Sequence, residues 1–199
     1  MIAALTGIGL SAAAGLNAYI PLLLVALLAR FTSVIDLPPD YAWLSSWWSI
    51  AVVSVLLLAE LILDKVPVVD SINDTIATLI RPAVGGLIFA ATTAAQKVDE
   101  SDWMREHSWV GIAAGVLVSA IVHAGKMTAR PVVNTASVGV GAPVVSTLED
   151  IGSVGLSLIA VFLPLLVIVA VGLMIWGFVV LFRRIRGIRE RLRARSQRA

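Results

Sequence analysis

Cysteine is absent from the 199 residues, histidine occurs only twice, and charged side chains make up just 14% of the chain. Without cysteine there is no disulfide scaffold and no thiolate-ligated zinc or iron–sulfur site. His107 and His123 are too few for a histidine-rich haem or metal centre. The phosphate-loop, nucleophile-elbow and His-Glu-x-x-His patterns are also missing, so no cofactor and no catalytic residue is expected. What is abundant is apolar surface: 59% of residues are hydrophobic and the mean hydropathy is +0.95. A soluble domain has about 45–50% apolar and roughly 25% charged residues, and disordered chains are poorer still in apolar groups. The composition is that of an integral membrane protein.

The formal net charge of +2 is unevenly distributed. Arg183, Arg184, Arg186, Arg189, Arg191, Arg193, Arg195 and Arg198 share the tail with one acid, Glu190, whereas residues 1–182 hold 7 basic and 12 acidic groups. An Arg-rich segment directly after an apolar run reads as a topogenic signal that keeps the tail cytoplasmic, with anionic lipid headgroups rather than nucleic acid as its partner.

Uncharged runs cover 1–29, 41–59, 82–96, 108–122 and 151–182. About 20 helical residues cross a hydrocarbon core of roughly 30 Å. The sequence therefore predicts an all-α polytopic bundle of about five spans, near 3–29, 42–63, 82–96, 108–126 and 152–182, with the Arg-rich cytoplasmic tail at 183–199. The first run lacks the basic flank of a signal peptide and is expected to be a membrane helix interrupted near Pro21. The last is too long for a straight crossing, and Pro164 is the expected kink. With the tail inside, five crossings place 30–40 and 97–107 inside and Met1 outside. Trp43, Trp47 and Trp48 and, further on, Trp103 and Trp109 then share one interface as an aromatic belt.

Polar residues concentrate in two strings. Glu60, Asp64, Lys65, Asp70, Asn73, Asp74 and Arg81 form the first; His123, Lys126, Arg130, Asn134, Glu149 and Asp150 form the second. Pro67-Val68-Val69-Asp70-Ser71 and Pro131-Val132-Val133-Asn134-Thr135 resemble each other, which suggests a duplicated unit with broken or re-entrant segments near 67–81 and 131–150. The first string supplies mainly carboxylates and the second mainly cations, so packing the two together lowers the cost of charge near lipid. Glu60 and Asp64 share a helix face at i, i+4, so one of the two must find a cation or keep a proton. Lys65 and Lys126 read equally well as snorkelling headgroup residues, and His123 as a packing residue. Gly111-Ile112-Ala113-Ala114-Gly115 has the small-xxx-small spacing of close helix contacts.

Taken together, Gly15-Leu16-Asn17-Ala18-Tyr19-Ile20-Pro21, Leu37-Pro38-Pro39, the Glu60–Asp70 string, Ile80-Arg81-Pro82, the Lys126–Asn134 string and Val145-Ser146-Thr147-Leu148-Glu149-Asp150 resemble the bacterial membrane family called domain of unknown function 4126. The resemblance covers about residues 5–170. It implies a multi-pass protein of the bacterial cytoplasmic membrane and treats the polar strings as one site; it implies no activity.

The expected function is a small transporter or channel-like protein. Its path would be built from Glu60, Asp64, Asp70, Asp74, Arg81, Lys126, Arg130, Asn134, Glu149 and Asp150, and a homodimer would help to enclose it. A non-catalytic complex subunit or assembly factor with helix-locking polar residues is the alternative. A lipid-headgroup enzyme using Mg²⁺ on Asp70, Asp74, Glu149 and Asp150 is the third.

Overall fold

A computed structural model describes residues 1–95, 107–136 and 141–196; side chains at 67–68, 70–72, 108, 131–136, 181–182, 184–186 and 188–196 lie outside the description. The described residues form helices and no strand. In chain order these are α1 (Ile2–Leu16), α2 (Tyr19–Phe31), a 3-10 turn (Pro39–Ser45), α3 (Trp47–Leu63), α4 (Pro67–Ala95), α5 (Ser108–Ala136), α6 (Gly141–Phe162), a second 3-10 turn (Pro164–Leu166) and α7 (Val167–Ser196). Three helical stretches are long and apolar enough to cross a membrane: Asn73–Ala95, Trp109–Arg130 and Gly141–Phe162. A fourth is the pair Pro39–Ser45 and Trp47–Leu63, bent by 55°. Ser46 makes that bend into a helix start, its hydroxyl accepting the Ser49 N–H at 3.1 Å.

The first two helices are not one interrupted span. The break falls at Asn17 and Ala18, and Asn17 Oδ1 accepts the N–H groups of Tyr19 and Ile20 at 3.1 and 3.4 Å. Pro21 sits in the first turn of α2, where its missing N–H costs nothing. Thr6 of α1, Val34 and Ile35 beyond α2, Ala95 of α4 and Val161 of α6 all line one small cavity. The chain therefore enters with α1, turns at Asn17 and comes back with α2. Fifteen and thirteen residues make arms of about 22 and 20 Å, short of a 30 Å core. The pair is a hairpin whose tip stops inside the bundle.

That hairpin changes the sidedness expected from the sequence. The ends of α4 and α6 lie at the open end of the hairpin, and α7 starts beside the middle of α1, Val167 being close to Gly9. From there α7 runs towards the tip side, where Phe178 abuts Gly125. The Arg-rich segment, helical as far as Ser196, thus lies across the bundle from residues 30–40 rather than beside them. Residues 97–106 fall outside the description. Trp47 and Trp109 begin α3 and α5 at the hairpin's open end, both exposed. There Arg30 stacks over the Trp47 ring at 4.3 Å and Phe31 meets the same ring edge-on, the mix of cation and aromatic ring that suits a headgroup region.

The two segments expected to be broken are helical over their described residues, 67–81 throughout and 131–136 and 141–150 on either side of 137–140. Pro67 opens α4 instead of interrupting it, and the helix runs on through Pro82 to Ala95. Proline is tolerated at a helix start, and at Pro82 only one internal N–H is lost while both flanks stay packed on α5. Residues 131–136 likewise continue α5, and 141–150 belong to α6. The similar strings at 67–71 and 131–135 thus occupy unlike places, a helix start and a helix end. Pro164, by contrast, does divide the last apolar run, so 152–182 is two helices and not one span.

α1 has no charge and is buried on nearly every side, against α4, α5 and α6. Glycine makes this possible. A Cβ on Gly115 would sit 2.4 Å from the Gly85 carbonyl oxygen, and one on Gly15 would sit 2.6 Å from that of Ser119. Gly155 has open space around it. The expected outcome is that Gly115→Val lowers stability by at least about 1–3 kcal/mol through overpacking, whereas Gly155→Ala does not lower it; thermal unfolding in detergent reads the difference. Cysteines at Ser33→Cys and Ser196→Cys are expected to react with an impermeant thiol reagent from opposite sides of the membrane. Reaction from one side only would refute the hairpin.

Candidate functional site

The polar residues of α4 and α5 fall at helical spacing and face one another antiparallel. Asp74, Thr78, Arg81 and Gly85 form one stripe; Ser119, His123, Lys126 and Arg130 form the other. Among apolar helices such stripes bury themselves against each other, because neither lipid nor an aliphatic core solvates charge. α3 brings Glu60 at its last turn and Asp64 as its C-terminal cap, and α6 brings Glu149 and Asp150.

Arg81 lies deepest, with no exposure at all. Its Nη2 donates to Glu60 Oε1 at 2.6 Å, and its Nη1 lies 3.0 Å from His123 Nδ1. A guanidinium only donates, so Nδ1 must accept, and the His123 ring is neutral with its proton on Nε2. Nε2 then donates to Thr78 Oγ1 at 3.0 Å, and Thr78 donates to the Asp74 carbonyl at 2.9 Å. Ser119 caps the Arg81 carbonyl at 2.8 Å. His123 is therefore a fixed acceptor for Arg81.

Asp64 is the hub of the outer layer. Its Oδ1 accepts from Asn73 at 2.7 Å, and its Oδ2 accepts from Lys126 at 3.3 Å and Arg130 at 3.2 Å, with Arg81 Nη2 at 3.8 Å. Arg130 also pairs with Glu149 through Nη2 and, at 3.4 Å, through Nε. Lys126 Nζ, in a residue only 2% exposed, has Glu149 Oε2 at 3.2 Å and Asp74 Oδ1 at 3.8 Å. It also donates to the Leu16 carbonyl at 3.1 Å, one of the unpaired oxygens ending α1. Asp150 accepts from Asn17 at 2.9 Å and faces Lys65 at 3.7 Å. Ser153 donates to the Ala13 carbonyl at 3.0 Å. The hairpin tip is thus tied to the charged cluster on both sides.

The structure brings together Glu60, Asp64, Asp74, Arg81, Lys126, Arg130 and Glu149, with Asp150 beside them. Asp70 and Asn134 lie outside the described side chains. Lys126 does not snorkel; it is enclosed. The oxygens that a magnesium site would need on Asp74, Glu149 and Asp150 face Lys126, Arg130 and Lys65, which stand where a metal's charge would, and Asn17 donates to Asp150. The acceptor role of His123, the relay through Thr78 and the tip residues Leu16 and Asn17 escape a reading of charged strings. The i, i+4, i+7 spacing of Asp74, Thr78 and Arg81 and of Ser119, His123 and Lys126 is the signal that reveals the first two.

Removing one partner of a buried pair leaves the other uncompensated. Arg81→Met is therefore expected to destabilise the protein by about 3–5 kcal/mol, and Glu60→Gln in the same chain to restore part of that loss. Thermal denaturation of the two single variants and the double variant measures the coupling; simple additivity would show that the pair is not a unit.

The family model described as domain of unknown function (DUF4126) matches residues 4–184. No curated protein and no solved structure matches the chain.

Proposed function

The chain belongs to this family, and because the family's description assigns no activity we propose, from the chemistry of the site, that the protein is a small membrane carrier whose polar path runs through the buried charge cluster. The single observation behind this is the depth of the charge. Three cations and four carboxylates stand inside an apolar bundle, against the carbonyl end of a helix that stops partway. Broken helices whose ends meet charged groups near the midplane are the usual architecture of transport sites, since helix termini there supply polar atoms without water. A scaffold alone has no need of so costly a centre.

The carrier reading expects access from one side. The cluster lies towards the ends of α5 and α7 that face away from the open end of the hairpin. Beyond Arg81 the bundle closes on Ser119, Gly85 and Gly115. With the Arg-rich segment held inside a bacterial cell by its charge, the polar path faces the cytoplasm, and the tail meets anionic headgroups. A homodimer suits a chain with so little helix surface of its own.

A second reading has its own observation. Each of the seven charges has an opposite partner within 3.8 Å, as in a polar lock inside a complex subunit or assembly factor. Cysteines at Ala77→Cys and Ser146→Cys, both buried, separate the two. The carrier reading expects both to react with an impermeant thiol reagent from the tail side, as does Val66→Cys at the flank. Protection of both buried positions while Val66→Cys reacts would refute the carrier and leave the lock.

A further inference from the structure

The charge balance of the cluster points to what moves through it. Among the described residues, Glu60 and Asp64 come from α3, Asp74 and Arg81 from α4, Lys126 and Arg130 from α5 and Glu149 from α6. Asp150 is answered by Lys65. His123 contributes no charge, because its Nδ1 accepts from Arg81, and α1 offers only the Leu16 carbonyl. Four carboxylates thus face three cations. A net negative charge in an apolar bundle calls for a neutralising proton or cation.

The four carboxylates are not equally served. Glu60 holds Arg81 at 2.6 Å. Asp64 accepts hydrogen bonds from Asn73, Lys126 and Arg130. Glu149 takes both Nε and Nη2 of Arg130 and has Lys126 at 3.2 Å. Asp74 is different. It is 4% exposed, its cations stand off at 3.5 Å (Arg81 and Arg130) and 3.8 Å (Lys126), and its Oδ1 makes no hydrogen bond among the described residues. Its Oδ1 points at Arg81 and Lys126, into the cluster, as a buried acceptor without a donor.

We propose that Asp74 holds an exchangeable proton and that the ion coupled to this path is therefore H⁺. The O–H bond at Asp74 forms with a proton from hydronium on the tail side, which leaves water. It breaks when that proton returns to water, leaving a carboxylate that Lys126 and Arg130 can close upon. A sodium-sized cation at the same place would have to share oxygens with three fixed cations, whereas a proton occupies no volume. The inference deepens the carrier reading but is read by a different observable.

Infrared difference spectroscopy of the full chain in phosphatidylcholine–phosphatidylglycerol vesicles at neutral pH tests it. The wild type is expected to show the carbonyl stretch of one protonated carboxylic acid, shifted when aspartate is labelled with carbon-13. Asp74→Asn is expected to abolish the band and Asp40→Asn, exposed on the first 3-10 turn, to leave it. Replacing choline with sodium at constant ionic strength is expected to change nothing. No band, a band unmoved by the aspartate label, a band surviving in Asp74→Asn, or a band removed by sodium would each overturn the assignment. The label keeps the test valid if Asp74→Asn fails to fold. The band reports protonation whether or not cysteines at 77 and 146 react, so failure of the carrier reading and failure of the proton assignment are distinguishable.

Discussion

The fully enclosed guanidinium of Arg81 is the constraint around which the rest is arranged. A cation that deep among aliphatic side chains needs acceptors for its charge, and both terminal nitrogens of Arg81 have one. Glu60 answers from α3 and His123 from α5, while Ser119 anchors the backbone carbonyl of Arg81 itself. These contacts set the register of α3 and α5 against α4. One turn further along, Gly85 and Gly115 let the α4 and α5 backbones touch, so the register is held by close packing on one side of Arg81 and by charge on the other.

This division gives the molecule two kinds of interior. Around Gly15, Gly85 and Gly115 backbone meets backbone, Gly7 and Gly9 make room for Phe89 and Val167, and the polar groups there are hydroxyls bonded to carbonyls, as with Ser11 to Gly85 at 2.8 Å. Around Asp64 and Lys126 the groups are long, charged and multiply shared. The first kind is held by shape, the second by shared charge: Asp64 alone accepts from Asn73, Lys126 and Arg130.

The membrane character, the family and the all-helical fold were legible from composition and from the two polar strings, since apolar content and the opposed signs of those strings depend on no tertiary detail. The breaks were harder to read. Proline is ambiguous in sequence: Pro164 ends a helix, Pro67 begins one and Pro82 rides inside one, and only the packing of the flanks decides. Reading 67–81 as broken hid the stripe Asp74, Thr78, Arg81, and with it the partner stripe that contains His123. The hairpin escaped for another reason. An apolar run of spanning length looks the same whether it crosses or returns, and the asparagine at its tip is a weak signal until Lys126 and Asp150 are seen to hold it.

That tip has a consequence for how the chain is made. Lys126 meets Leu16 and Asp150 meets Asn17 across 110 and 133 positions of sequence. A chain threaded into the bilayer from its amino end exposes the unpaired carbonyls of α1 long before the side chains that satisfy them have left the ribosome. The hairpin therefore cannot settle when it emerges. Its tip is satisfied only once α5 and α6 arrive, so a segment made before them is seated together with them.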